Sequence, residues 1–202
     1  MRPTSPTARP TARVLSRRAW LQAASAAAIG GMIRPAHAAD VSVPVKLQAA
    51  LIGKVAAFDR AFQARSRSLA RLIVVQKGGD SARVGHQMAS ALEEMPDIAG
   101  LHKSVEVLDW SGPAALASAV RARPTALAYL SLGLDGDAAA IAAALAGIEV
   151  LTVGATGLIA ERGACVGFEL EEGRPRIYVN LAVAKAQKVD FRAELLRLVK
   201  LV

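Results

Sequence analysis

The chain has 202 residues, 53% of them hydrophobic, with 25 Lys+Arg against 17 Asp+Glu and a formal charge of +8. That hydrophobic share excludes an intrinsically disordered chain, and a single cysteine excludes an internal disulfide framework or a Cys-rich zinc site. Residues 1–38 hold six arginines (Arg2, Arg9, Arg13, Arg17, Arg18, Arg34) and no lysine or acid, so the other 164 residues carry 19 basic and 17 acidic groups, a net +2, and with aromatics at 4% a nucleic-acid binder is not expected.

The first 38 residues read as an export signal. Arg17 and Arg18 precede Ala19, Trp20 and Leu21, a weakly apolar stretch rich in Ala and Gly runs to Ile33, and Ala36-His37-Ala38 supplies a small-x-small cleavage site. The stretch falls short of the roughly 18–20 apolar residues that cross a bilayer. Paired arginines beside an aromatic and a leucine resemble a twin-arginine signal, which exports proteins already folded. Cleavage after Ala38 leaves residues 39–202 as one domain in a periplasmic space.

Pro44 to Gln63 predicts a helix whose inner face is Val45, Leu47, Leu51, Ile52, Val55, Phe58 and Phe62. Arg65-Ser66-Arg67-Ser68 then reads as a basic, solvated loop. Leu72-Ile73-Val74-Val75 suits a strand buried on both faces, ended by Gly78-Gly79. Asp80 or Ser81 caps a helix to Glu94 with Val84, Met88, Ala91 and Leu92 inward, and Pro96 stops it. Ser104–Leu108 is a second strand, which Glu106 marks as an edge. Pro113 opens a helix to Arg121; Ala126–Leu130 is a third strand; an alanine-rich helix from Gly136 ends at Gly147; Ile148–Val153 is a fourth strand. This alternation predicts parallel strands joined by right-handed crossovers.

The pattern then changes. Cys165–Leu170 and Arg174–Val179 alternate apolar and polar residues around Glu171-Glu172-Gly173, the signature of a hairpin. Asn180 caps a helix from Leu181 to Lys188, and Asp190 caps a last helix from Phe191 to Leu201 with Phe191, Leu195, Leu198 and Val202 on one face. The fold class expected is α/β: a mostly parallel sheet with helices on both faces, plus a C-terminal β-hairpin and two terminal helices.

No residue set makes a convincing catalytic centre. Gly163-Ala164-Cys165-Val166-Gly167 has the spacing of a nucleophile elbow, but a hairpin follows where a helix is required, and neither His86 nor His102 has a legible acid partner. Cys165 reads as a small residue at a strand start, and an oxidising compartment leaves open a disulfide between two copies of the chain, a homodimer. Gly154-Ala155-Thr156-Gly157 lacks the lysine of a phosphate loop and reads as a mobile loop. It and Gly78-Gly79-Asp80 fall at carboxyl ends of strands, where open α/β sheets take ligands. Asp97, Asp109, Asp135 and Asp137 have no metal-ligand spacing, and no cofactor or metal is expected.

Residues 161–202, ERGACVGFELEEGRPRIYVNLAVAKAQKVDFRAELLRLVKLV, resemble the C-terminal signature of YfiR-like periplasmic regulators. The matching positions are Gly163, Cys165, Phe168, Gly173, Arg176, Asn180, Leu181, Ala184, Leu195, Leu196 and Val199. The resemblance implies a non-enzymatic protein that binds the periplasmic region of a membrane signalling protein, a diguanylate cyclase or a sensor kinase, and so limits cyclic-di-GMP signalling and biofilm formation. It implies no catalytic residue. The redox switch built on paired cysteines in that family does not carry over to a chain with Cys165 alone. A periplasmic small-molecule binder using the two glycine loops is the other reading.

Overall fold

Residues 43–202 are described by the computed structural model; the signal residues Arg17, Arg18, Ala36 and Ala38 lie outside them. The run centred on Leu72–Val75 extends to β1 (Leu69–Gln76) and is buried along nearly its whole length. It lies between β2 (His102–Asp109) and β3 (Leu127–Leu130), each parallel to it. Beyond β3 come β4 (Leu151–Gly154), β5 (Val166–Glu171), β6 (Arg174–Val179) and β7 (Lys200–Leu201), giving one seven-stranded sheet in the order β2-β1-β3-β4-β5-β6-β7. Only β5 and β6 pair antiparallel. The expected α/β class, parallel strands and hairpin are all present, and β2 is the edge that Glu106 marked.

Period-two alternation carried through the register sorts the side chains by face. Leu72, Leu127, Leu151, Val74, Tyr129, Val153, Val166 and Val179 fall on one face. It is covered by α1 (Val45–Phe58) and α3 (Asp80–Glu94). Val84, Met88, Ala91 and Leu92 are the inner face of α3, as the spacing predicted. The opposite face takes α4 (Pro113–Ala122), α5 (Ala138–Leu145) and α6 (Gly157–Arg162), which pack in succession. Tyr129 is fully buried, and its hydroxyl donates to Gln48 Oε1 at 3.0 Å.

Five expectations need correction. The helix predicted over Pro44–Gln63 breaks at Asp59, and α2 (Phe62–Ser66) follows separately. Asp59 is extended, and its Oδ1 accepts from the amides of Ala61 and Asp190 at 3.0 and 3.3 Å, side-chain bonds that compete with helix continuation. On α1 the inward position is Gln48, not the exposed Leu47; Gln48 Nε2 donates to the carbonyls of Val43 and Ala155 at 2.9 and 3.1 Å. A polar residue with partners for its amide can occupy a core position that periodicity assigns to a leucine.

Arg65 is buried, not in a solvated loop. It pairs with Asp59 and donates from Nε to the Ala126 carbonyl at 3.2 Å. Gly154-Ala155-Thr156-Gly157 is no mobile loop: it is a buried turn into α6, with the Thr156 hydroxyl accepting from the Ile159 amide. Finally, the helix predicted over Phe191–Leu201 shrinks to one turn, α8 (Ala193–Leu196), and Lys200–Leu201 pairs parallel with Tyr178–Val179 as β7. Pairing there covers part of β6, whose backbone groups would otherwise stand unpaired. Leu198, predicted inward, is 70% exposed.

Candidate functional site

The C-terminal module, α6 to β7, gathers the motif residues, and most of them do packing work. A Cβ on Gly163 would run into the Ala138 carbonyl at the start of α5, and one on Gly167 into the Thr156 carbonyl. Both glycines let backbone segments touch. Phe168 is fully buried. Glu172 and Gly173 both have positive φ, 52° and 74°, which is the two-residue primed turn that matches strand twist. Asn180 caps α7 (Leu181–Ala186): its Oδ1 accepts from the Val183 amide at 3.1 Å, while its Nδ2 donates to the Ala160 carbonyl at 3.0 Å and so ties α7 to α6. Ala184 and Leu195 are buried, Leu196 and Val199 are partly buried, and Leu181 is exposed.

Cys165 is fully buried. Its amide donates to Thr152 Oγ1 at 2.9 Å, its thiol donates to Gln187 Oε1 at 3.1 Å, and the Thr152 hydroxyl reaches the same Gln187 oxygen at 2.9 Å. Burial pushes the thiol up to about 11, against which the Thr152 hydrogen bonds act. A protonated thiol with no surface is neither a nucleophile nor a partner for a disulfide between two copies. Both of those readings of Cys165 are therefore set aside; it is part of a polar pin joining β4, β5 and α7.

The outer edge of the module is different. Glu171 Oε1 accepts from the Tyr178 hydroxyl at 2.6 Å and from Lys200 Nζ at 2.8 Å, and Lys200 also lies 3.0 Å from the Tyr178 oxygen and 4.6 Å from the centre of its ring. Arg176 Nε stands 3.7 Å from the other Glu171 oxygen. The hydrogen bond from Lys200, with that from Tyr178, holds Glu171 below the usual carboxylate range, and the same bond raises Lys200. On the opposite face of this edge, register places Leu170, opposite Pro175, and Leu201, opposite Val179, on one side of the sheet. Leu170 is 38% exposed, Leu201 50% and Val202 41%, with Leu198 just before them. Leu198 and Leu201, large aliphatic side chains left in water at and just before the two-residue edge strand, have the character of an interaction surface. Sequence reading placed Leu198 and Val202 on the inner face of a terminal helix because their spacing is helical.

The two glycine loops lie at the carboxyl ends of β1 and β4, and strand order reverses between β1 and β3. That crevice is strapped: Lys77 Nζ donates to Asp137 at 2.6 Å and to the Gly133 carbonyl at 3.0 Å, and Ser131 Oγ donates to the Ser81 carbonyl at 2.7 Å. Asp109 accepts from Gln76 at 3.1 Å, Asp97 from the Gly100 amide at 2.9 Å, and Asp135 pairs with Arg162 at 3.1 Å. His86 lies 3.4 Å from Gln76, and His102 is exposed at the start of β2. The acids are thus dispersed structural partners, and among the described residues no three His, Cys, Asp or Glu side chains gather to hold a metal. A groove of about 800 Å³ runs between the start of α1 and the exposed side of α3, lined by Val45, Lys46, Arg83, His86, Gln87 and Glu94 among others. Among the described residues no helix is long and apolar enough to cross a membrane.

The model of the YfiR/HmsC-like family matches residues 45–200, and the chain belongs to that family. No curated protein matches its sequence. Among solved structures, it is similar to the ABC domain in complex with L-Trp from Streptococcus pneumonia, with a TM-score of 0.55, 9% identity, 79% of this chain covered and 62% of that one. It is also similar to a conserved domain protein from Vibrio cholerae, with a TM-score of 0.51, 14% identity, and 78% and 60% covered. The chain thus spans about three-fifths of each of those proteins, and the likeness is one of fold.

Proposed function

We propose that this family member is an exported regulator that works by contact: residues 1–38 are removed, and residues 39–202 act as one domain outside the inner membrane. There it binds the periplasmic region of a membrane signalling protein, with a diguanylate cyclase ahead of a sensor kinase, and restrains cyclic-di-GMP signalling. The observation that carries the contact reading is the exposure of the large aliphatic side chains Leu198 and Leu201 at the edge strand β7. Repression needs no chemistry by the repressor. It needs preferential affinity for the partner's inactive state, and a hundredfold preference is worth about 2.7 kcal/mol of population shift.

The test uses protein recovered from the periplasmic fraction. Its N-terminal sequence should begin at Ala39, and it should be captured by the periplasmic domain of a cyclase or kinase encoded nearby. Leu198→Asp and Leu201→Asp should lose that capture with little change in melting temperature. Undiminished capture by both variants would move the contact surface elsewhere. A start at Met1 would end the export reading.

The groove between α1 and α3 favours a second reading, a small-molecule binder. Sharing a fold with a domain solved in complex with L-Trp says nothing of what this chain binds. Saturable stabilisation by a metabolite, lost on filling the groove with Ser90→Trp, would put this reading first.

A further inference from the structure

A second pocket opens on the opposite end of the sheet from the glycine loops. It has a volume of about 330 Å³ and lies where β1, β3 and β4 begin. Arg65 and Arg67 reach it from α2 and the turn after it, Arg121 from the last turn of α4, and Val120, Pro124 and Ile148 give it an apolar wall. Three guanidinium groups around one small cavity repel one another unless something negative sits among them.

The local charges do not cancel. Asp59 answers Arg65, and Glu149, the one acid at the pocket, is itself paired with Lys188 at 3.3 Å. The side chains of Arg67 and Arg121 have no hydrogen bond or ion pair with any described residue. Two positive charges are left over. The carbonyl ends of α4 and α5 both fall on this side and offset about one charge between them, so the pocket stays positive. Arg65 adds an independent sign. It is 7% exposed, two of its nitrogens are bonded, and the third, Nη1, is buried with no partner. A buried donor without an acceptor is costly, and it is relieved when a ligand oxygen enters. Burial lowers Arg65 to about 10, so it remains charged at neutral pH. Arg67, moreover, holds φ 56° and ψ −117°, a conformation that costs a non-glycine residue and is retained where surroundings or function require it.

We propose that this pocket binds the phosphate of a small organic phosphate, with Arg65, Arg67 and Arg121 around the tetrahedral group and its organic part against Val120 and Ile148. An anion answers the positive charge left over, and guanidinium forks match phosphate oxygens. The site is separate from the C-terminal contact face, and its fate does not depend on that reading.

The experiment is a melting and calorimetric titration of the full chain with glycerol 3-phosphate, against sodium chloride at equal ionic strength. A saturable rise in Tm beyond the chloride control is expected, with affinity at least about tenfold weaker in Arg121→Gln and weaker still in the Arg67→Gln/Arg121→Gln pair. Co-sedimentation with phosphatidylglycerol vesicles, lost in the same variants, would identify a lipid headgroup as the source of the phosphate; free binding without it identifies a soluble one. A response no larger than that to chloride, or equal affinity in an Arg121→Gln protein of unchanged Tm, overturns the proposal.

Discussion

The half of the sheet from β2 to β4 and the half from β5 to β7 are held together by different physics. In β1, β3 and β4 nearly every residue is buried on both faces, and β1 pairs with β2 along eight residues. The second half meets the first through one registered pair, Val153 opposite Val166. What fastens it is backbone contact at Gly163, the Thr152–Cys165–Gln187 pin, and the Asp59 link to Asp190. A short ladder backed by polar pins leaves the outer strands free to keep apolar side chains in water. A presented face of that kind is what a binding protein requires, and an all-apolar parallel core cannot offer one.

The sharpest way to break this contrast is at the joint. Asp59→Ala removes the partner of buried Arg65 and two acceptor contacts, one of them to Asp190 across the joint. Stranding a buried charge costs about 3–5 kcal/mol, and chemical denaturation should show that loss. A cost near zero would mean that Asp59 neither holds the buried charge nor ties Asp190 across the joint. Gly163→Ala comes next. The collision is with backbone at Ala138, which cannot rotate away as a side chain can, so about 3 kcal/mol is expected, read from the same denaturation curves. Full tolerance would show that α5 and the start of β5 can separate without loss.

The same contrast governs what was legible beforehand. Leu72–Val75, the helix face Val84, Met88, Ala91 and Leu92, and the hairpin turn at Glu172-Gly173 are each fixed by neighbours close in sequence, and reading the chain finds them. Gln48, Asp59 and Arg65 are buried because acceptors and donors arrive from Ala155, Asp190 and Ala126, at separations that no local pattern encodes. The last strand was missed for a related reason. Leu195, Leu198 and Val202 keep helical spacing, but pairing to Tyr178 and Val179 takes Lys200 and Leu201 into the sheet. The exposure of Leu198 and Leu201 was therefore invisible in sequence, even though the motif around them was recognisable: motif positions such as Gly163, Phe168 and Asn180 secure the module, and the leucines left exposed lie mostly outside them.

A smaller test separates the pins from one another. Asn180→Ala removes a cap to Val183 and the tie to Ala160, and about 1–2 kcal/mol is expected. Because Gln187 follows α7 directly as its C-terminal cap, hydrogen exchange should quicken at Cys165 as well as in α7 if the pins act as a unit. Quickening confined to α7 would make the Cys165 pin independent of the cap.

The smallest effect expected is a pH response at the outer edge. Glu171 has its pKa lowered from 4.5 in the folded protein, chiefly by Lys200 and then Tyr178, so its contribution is present above 4.5 and is lost as pH falls through the folded value. Lys200 has its pKa raised from 10.5, so its contribution is complete below 10.5 and is lost only as pH rises further. Both are therefore in place across the neutral range, and acid removes the first. Amide exchange, corrected for intrinsic rates, should show Val202, whose N–H donates to the Val179 carbonyl at 3.0 Å, losing protection below pH 4.5 while Val153 keeps its own. Glu171→Gln should flatten that response. If Val202 and Val153 lose protection together, the edge strand is no separate unit, and the outer half of the sheet melts with the core.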